Sequence, residues 1–323
     1  MNGVKRRDVL ICAAASAILP AYAAFPSRLL RIVVPFGPGG IADLTVRTVG
    51  EALGKRIGQS VVVDNRPGAG GVTAGDIVAH AEPDGHTLLL VSNGTAVSAG
   101  LFSKLPFDPV KDFVPVSLIG TFDIAIVVAE NSKLHTLADL LAAAKANPGK
   151  LNIATVNVGS TQHLAAELFM TAAGIRAQVV PFNGTPAVVT ALRGGEVDAA
   201  VEILGPLQSQ LDAKALRALA VMGGKRPGGM PQVPTVAESG GALRGFDVSS
   251  WNGLAAPAKT PREVVQRLHA ELEAVLADPA VRQRLAALSV EARSSTPEQL
   301  GALLASEIRR WSDVIARAGI PRQ

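Results

Sequence analysis

The chain has 323 residues, a formal net charge of +4 and a single cysteine. This length is enough to bury large hydrophobic cores, and it predicts two domains. The near-balanced charge gives no sign of a nucleic-acid-binding surface, and the 5 histidines lack metal-ligand spacing. We therefore expect no nucleic acid, no metal and no cofactor.

The first residues predict a secretory signal peptide. Three basic residues, Lys5, Arg6 and Arg7, precede an apolar run over residues 9–19, and Ala21-Tyr22-Ala23 fits a cleavage site. The run is too short to span a bilayer, which favours a cleaved signal over an anchor. Cleavage would remove residues 1–23 with the only cysteine, so no disulfide or thiol chemistry is expected. Export to the periplasm is predicted, and Arg6-Arg7 also allows the twin-arginine route.

Residues 32–43 predict a strand, a glycine-rich loop and the start of a helix. An apolar β-branched run ends at Pro35, glycines follow, and beyond Asp43 the apolar residues recur at helical spacing. A helix that starts at the carboxyl end of a strand offers unpaired N–H groups and the positive end of its dipole, which suits a carboxylate. The alternative is a tight turn with Asp43 as a first-turn charge or cap.

The next elements predict a parallel α/β sheet. Strands are expected over residues 61–63 and 87–91, with a helix over residues 72–80 between them. The second of these strands ends in a polar loop, residues 92–95, which is either a binding loop or a plain turn. Further strands are predicted at residues 116–119, 124–128, 151–155, 178–181, 198–203 and 216–221, and further helices at residues 137–145, 186–192, 261–276 and 296–318.

The strand–loop–helix unit recurs about 120 residues further on, where the strand at 151–155 is followed by Gly159-Ser160-Thr161 and a helix. Ligands of open α/β sheets bind at the carboxyl ends of strands, and pockets favour domain interfaces. The two units are therefore predicted to clamp a small anion across a cleft. Ser160 and Thr161 also suit helix capping, which does not exclude ligand contact.

The sequence lacks the motifs of several enzyme classes. It has no Gly-x-Ser-x-Gly elbow and no Walker loop, and residues 68–71 lack the third glycine of a dinucleotide site. Ser160 and His163 form a conceivable nucleophile and base, but no orienting acid is evident. His163 is better interpreted as a pocket or capping residue, and a binding protein is favoured over an enzyme.

Eight motifs follow one another along the whole predicted mature chain. They are Val34-Pro35-Phe36-x-Pro38-Gly39-Gly40-x-x-Asp43, Val61-Val62-Val63-Asp64-Asn65-Arg66-Pro67-Gly68-Ala69-Gly70-Gly71, Pro83-Asp84-Gly85, Leu105-Pro106-Phe107-Asp108-Pro109, Gly159-Ser160-x-x-His163-Leu164-Ala165, Leu216-Arg217-Ala218-Leu219-Ala220-Val221, Pro234-Thr235 and Trp311-x-x-Val314-Ile315. In sequence and in order they resemble the Bug-type (TctC-like) solute receptors of tripartite tricarboxylate transporters.

The resemblance implies an α/β fold of the type II periplasmic-binding-protein kind, with two α/β domains around a ligand cleft. Domain 1 is expected over residues 24–122 and 224–323, and domain 2 over residues 123–223. The family's carboxylate site, made largely of main-chain groups, carries over to Phe36, Gly39, Gly40, Gly159, Ser160 and Thr161. Further candidates at loop and strand ends are Asp43, Asn93, Thr95, His163, Asn183, Gly184 and Glu202.

Two departures from the family pattern bear on ligand identity. Residues 94–99 lack a Gly-Thr-His-x-x-Asn motif found in many members, and Glu202 stands where many have aspartate. Glu202 is expected to be a solvated strand-end carboxylate, a partner for an arginine, or the acceptor for an amino group of the ligand.

The predicted function is that of a monomeric periplasmic receptor that delivers a small carboxylate to membrane permease subunits. The alternatives are a sensor that docks a membrane kinase and an exported enzyme.

Overall fold

A nine-stranded sheet runs through the computed structural model, which describes residues 25–323, in the order β2-β1-β3-β9-β4-β7-β5-β6, with β8 paired to β4. The predicted signal peptide lies outside these residues. The strands are β1 (Leu30–Val34), β2 (Val61–Asn65), β3 (Thr87–Ser92), β4 (Phe113–Ala129), β5 (Asn152–Val156), β6 (Gln178–Phe182), β7 (Ala199–Ile203), β8 (Leu216–Val221) and β9 (Ser249–Pro257).

Helices cover both faces of the sheet. They are α1 (Ile41–Ile57), α2 (Val72–Ala79), α3 (Asn93–Leu101), α4 (Leu137–Ala146), α5 (Thr161–Ala173), α6 (Thr185–Gly194), α7 (Leu204–Asp212), α8 (Arg262–Ala277), α9 (Pro279–Ala286) and α10 (Pro297–Arg317). None of the helices in residues 25–323 combines the length and apolar character that a membrane span requires.

The sheet has two parts, which we call the first and second lobes. In the first lobe, β1 pairs in parallel with β2 and β3, and β9 joins β3 antiparallel. In the second lobe, β5 pairs in parallel with β6 and β7. Strand β4 belongs to both, since Phe113–Asp123 pairs with β9 and Ile124–Ala129 pairs with β7 and β8. The predicted domain boundaries, near this crossing, stay predictions.

Strand β4 corrects the sequence interpretation, because two separate strands were predicted at residues 116–119 and 124–128. The register of β4 against β9 shifts between Pro115 and Ser117 and between Leu118 and Gly120. Irregularities of this kind bend a strand without ending it. One bent strand therefore carries the chain from the first lobe into the second.

Buried apolar faces hold the helices against the sheet. Strand β1 is almost wholly buried, as a parallel strand covered on both faces should be. One cluster packs α1, α8 and α9 on the first lobe, and a second cluster joins α3, α5 and α10 across both lobes. Trp311 of α10 is 0% exposed and belongs to the second cluster.

Three helices differ from the sequence predictions. Residues 92–95 were predicted as a loop, but Ser92 caps α3 in a capping box with Thr95, so the helix starts at once. Helices α7 and α9 were not predicted. Helix α9 has a Pro at its start and an Asp278 cap, a local signal that was available.

Candidate ligand-binding cleft

A cavity of about 630 Å³ lies where the strand carboxyl ends of the two lobes meet. The first lobe contributes residues 35–37, 40–42, 67–71 and 92–95, apart from Ala69 and Asn93, and the second lobe contributes residues 156–162. Among the described residues that line it, none has an acidic side chain, a basic side chain or an imidazole. The cavity therefore offers neutral hydrogen-bonding groups and apolar surface.

On the first-lobe wall, α1 begins without a side-chain cap. Its N-cap is Gly40, and the first residues of the helix, Ile41 and Ala42, line the cavity with Gly40. The first N–H groups of an α-helix have no partner within the helix. The predicted strand–glycine loop–helix unit is confirmed, and its helix start faces the cavity.

Asp43 supports this wall from behind and does not line the cavity. It is 1% exposed, and its carboxylate accepts hydrogen bonds from Gly39 N at 2.8 Å, Asn65 Nδ2 at 2.9 Å and Arg47 Nε at 3.0 Å. Burial opposes ionisation, but the hydrogen bonds from Arg47, Gly39 and Asn65 outweigh it and lower the pKa of Asp43. Asp43 thus holds Gly39, whose φ of +81° requires glycine, in the loop.

On the second-lobe wall, Ser160 is the N-cap of α5. Its hydroxyl accepts from His163 N at 3.0 Å and donates to Val156 O at 2.6 Å, so the hydroxyl hydrogen is used within the lobe. Thr161 and Gln162, the first two residues of α5, line the cavity. Their N–H groups have no partner within the helix.

Gly159 brings the second loop close to the first lobe. It has a φ of +79°, and a Cβ atom there would lie 2.6 Å from Cδ2 of Leu101, which also lines the cavity. Its N–H donates to Nδ1 of His163 at 3.4 Å. Burial lowers the pKa of His163, which favours the neutral imidazole that can accept this bond. His163 itself does not line the cavity.

The starts of α1 and α5 therefore face one cavity from opposite lobes. Each presents backbone donors and the positive end of a helix dipole, an arrangement that stabilises an anion. In the described part of the chain, no three His, Cys, Asp or Glu side chains converge as metal ligands would.

Two of the roles predicted for Glu202 are wrong, because it is neither solvated nor paired with an arginine. It is 0% exposed and accepts hydrogen bonds from Gln162 Nε2 at 2.7 Å, Ile203 N at 2.7 Å and Thr185 Oγ1 at 3.1 Å. Burial raises the pKa of Glu202, and these three hydrogen bonds only partly oppose the effect. Glu202 does not line the cavity but holds Gln162, which does.

The other predicted residues are divided between the cavity and its surroundings. Phe36 and Thr95 line the cavity, whereas Asn93 is 1% exposed and donates to Ser249 O at 3.1 Å. Asn183 and Gly184 precede α6, next to a second groove of about 660 Å³ that Gly39 also lines. The cavity thus brings together Phe36, Gly40, Thr95, Gly159, Ser160 and Thr161.

Sequence reasoning missed several polar residues that line the cavity, among them Gln162, Ser250 and Asn252. Ser250 and Asn252 lie two apart on β9, so their side chains share one face of the strand. This alternation of polar residues in an otherwise apolar segment was the available signal.

The mixed α/β sheet with helix starts at an interlobe cleft defines the class of periplasmic binding proteins. This chain belongs to the tripartite tricarboxylate transporter family receptors, whose family model matches residues 45–320. The predicted family is confirmed. It is a family of solute-binding receptors.

Two relatives cover most of the chain. The UPF0065 protein in the tcbD-tcbE intergenic region of Pseudomonas sp. strain P51 is 40% identical over 292 residues, which is 90% of this chain and 87% of that protein. Protein BugT of Bordetella pertussis is 35% identical over 297 residues, 91% of this chain and 90% of its own length.

Solved structures confirm the predicted fold class. The periplasmic binding protein BugD has a TM-score of 0.79 and 31% identity, covering 93% of this chain and 100% of BugD. R. palustris Rpa4515, solved with adipate, has a TM-score of 0.82 and 32% identity, with 93% and 100% covered. MatC from Rhodopseudomonas palustris, solved with malate, has a TM-score of 0.77 and 33% identity, with 90% and 100% covered.

Proposed function

We propose that this protein is a periplasmic receptor that captures a small carboxylate in the interlobe cavity and delivers it to permease subunits of a tripartite tricarboxylate-type transporter. It acts as a monomer, is exported by the signal peptide of residues 1–23, and is not an enzyme. The observation that carries the proposal is the convergence of the uncapped start of α1 and the start of α5 on one cavity without charged side chains.

Backbone donors suit a receptor that must also release its solute. The N–H groups of Ile41, Ala42, Thr161 and Gln162 belong to helix starts on opposite lobes, so a carboxylate between them is bonded to both. A hydrogen bond to a charged group stabilises by about 1.5–3 kcal/mol, and the bonds to one lobe are lost when the lobes separate. The relatives solved with adipate and malate support a carboxylate as the solute.

The mature protein is expected to begin at Ala24 in the periplasmic fraction, which N-terminal sequencing checks. Retention of residues 1–23 would count against the export signal. Uptake of a bound, radiolabelled carboxylate in cells with and without the permease tests delivery, because a sensor that docks a kinase would not change uptake.

The carboxylate site is tested by removing one backbone donor without changing the helix. Pro is tolerated at the first helical position, and Ser160 already has the extended conformation, φ −67° and ψ 159°, that a following proline needs. Thr161→Pro therefore deletes the N–H at the start of α5. Thr161→Ala, which keeps the N–H and loses only the hydroxyl and methyl groups, is the matched control.

Calorimetry with carboxylates such as adipate and malate is expected to show that the wild type binds. The affinity of Thr161→Pro should be about 10- to 150-fold lower, which corresponds to the loss of one charge-assisted hydrogen bond. Thr161→Ala should stay close to the wild type. Arg262→Pro changes an exposed residue in the first turn of α8 and controls for the general effect of a proline at a helix start. Equal affinities of Thr161→Pro and Thr161→Ala would show that the N–H at the start of α5 does not bind the carboxylate.

A further inference from the structure

Three helices begin at the cavity, and their first turns differ in how they are capped. The start of α1 has no side-chain cap, and at α5 Ser160 caps only the N–H of His163. At α3, Ser92 caps the helix in a capping box and accepts from Gly94 N at 3.1 Å. The starts of α1 and α5 therefore suit a carboxylate, whereas the start of α3 suits a group without charge.

Strand β9 passes beside the start of α3 and adds two polar side chains to the same wall. Ser92 of β3 lies opposite Asn252 in the β3–β9 register. Ser250 and Asn252 both line the cavity, and their neighbour Trp251 points to the other face and is buried in the core. The wall at α3 and β9 is thus polar but carries no charged side chain in the described lining.

The side-chain amide nitrogen of Asn252 lacks a hydrogen-bond partner among the described residues. The residue is 1% exposed, and its amide nitrogen Nδ2 is inaccessible to solvent and unpaired within residues 25–323. A buried donor without an acceptor is strongly unfavourable. Asn252 lines the cavity, and a change of its side-chain torsions would bring this nitrogen to the cavity surface. A polar atom of the solute would supply the missing acceptor.

We propose that Asn252, together with Ser250, forms a second subsite that recognises an uncharged oxygen at the end of the solute remote from its carboxylate. An amide donor and a hydroxyl satisfy a hydroxyl or carbonyl oxygen, whereas a second carboxylate here would meet neither a cationic side chain of the described lining nor an uncapped helix start. The solute class is a hydroxy- or oxo-carboxylate. This inference rests on the proposed function, which places the carboxylate at α1 and α5.

The test is native mass spectrometry of the full mature chain with pairs of acids that differ by one hydroxyl group. The pairs are butyrate and hydroxybutyrate, hexanoate and ω-hydroxyhexanoate, and succinate and malate, with adipate as the probe for a second charge. The wild type is expected to retain at least one hydroxy acid about tenfold better than its deoxy partner, which corresponds to about 1.4 kcal/mol.

The preference should disappear in Asn252→Leu, which has similar size and no donor. Asn147→Leu, an exposed position at the end of α4, is the matched control and should keep the preference. If Asn252→Leu does not fold, Ser250→Ala provides the same comparison and should reduce the preference.

Two results would overturn the subsite: an unchanged preference for the hydroxy acid in the Asn252 or Ser250 variant, or tighter binding of adipate than of ω-hydroxyhexanoate by the wild type. Absence of binding for every acid, the wild type included, would reject the proposed carboxylate receptor as well. Failure of the subsite alone leaves carboxylate binding intact, so the two failures are distinguishable.

Discussion

Glu202 is a sensitive test of how the second lobe supports the cavity. It is fully buried, and it accepts hydrogen bonds from Gln162 Nε2 and Ile203 N, both at 2.7 Å. Glu202→Ala leaves both donors buried without an acceptor, and each unsatisfied group costs about 1–3 kcal/mol. We therefore expect Glu202→Ala to lower the free energy of unfolding by about 2–6 kcal/mol and to weaken ligand binding, because Gln162 is released from its position.

Glu202→Gln keeps the size and the hydrogen bonds. The oxygen of Gln accepts from Gln162 and Ile203, and its amide group can donate to the hydroxyl of Thr185, which lies 3.1 Å from Oε2. The expected change in the free energy of unfolding at neutral pH is within about 1 kcal/mol of zero, or stabilising, since no charge remains buried.

The pH dependence gives an independent check. Because burial raises the pKa of Glu202 in the folded state, its stabilising contribution is complete below the pKa of the unfolded chain and is lost as pH rises through the folded pKa. The wild type should therefore lose stability relative to Glu202→Gln over this range as pH rises.

Urea unfolding, followed by the fluorescence of Trp251 and Trp311, measures these differences, because both tryptophans are buried in the core. The reasoning is refuted if Glu202→Gln is as unstable as Glu202→Ala, since the ionised form would then be the one that the fold requires. A constant difference between wild type and Glu202→Gln across pH would equally contradict the raised pKa.

Three further predictions concern the loops at the helix starts. Asp43→Asn should destabilise the protein by about 1.5–3 kcal/mol, the range for a charge-assisted hydrogen bond, and should weaken binding. Urea unfolding and calorimetry measure the two effects, and an unchanged affinity would show that the Gly39 loop does not contribute to binding. Gly159→Ala should destabilise more than Gly149→Ala, because both have positive φ (+79° and +77°) but only Gly159 approaches Leu101; equal midpoints in urea would reject the clash. Ser160→Ala should lower stability by about 1 kcal/mol through loss of the N-cap, with a smaller effect on affinity in calorimetry. A larger loss of affinity than of stability would indicate that the hydroxyl contacts the ligand directly.

Local signals in the sequence were enough for most of the framework. The apolar run before Pro35 and the helical spacing after Asp43 predicted β1 and α1, and the echo around Gly159 predicted β5 and α5. These strands and helices depend on residues only a few positions apart, so the local sequence pattern is enough to predict them. The same ordered motifs also determined the family, which the family match confirms.

The tertiary structure decided what the polar side chains do. Asp43 meets Asn65, which is 22 residues away, and Glu202 meets Gln162, which is 40 residues away. Asn252 reaches the cavity only because β9 returns to pair with β3. Burial and hydrogen-bond partners arise when distant segments pack together, and no local pattern encodes them. The sequence therefore determined which segments form the cleft, and packing determined which of their residues face the solute and which hold those residues in place.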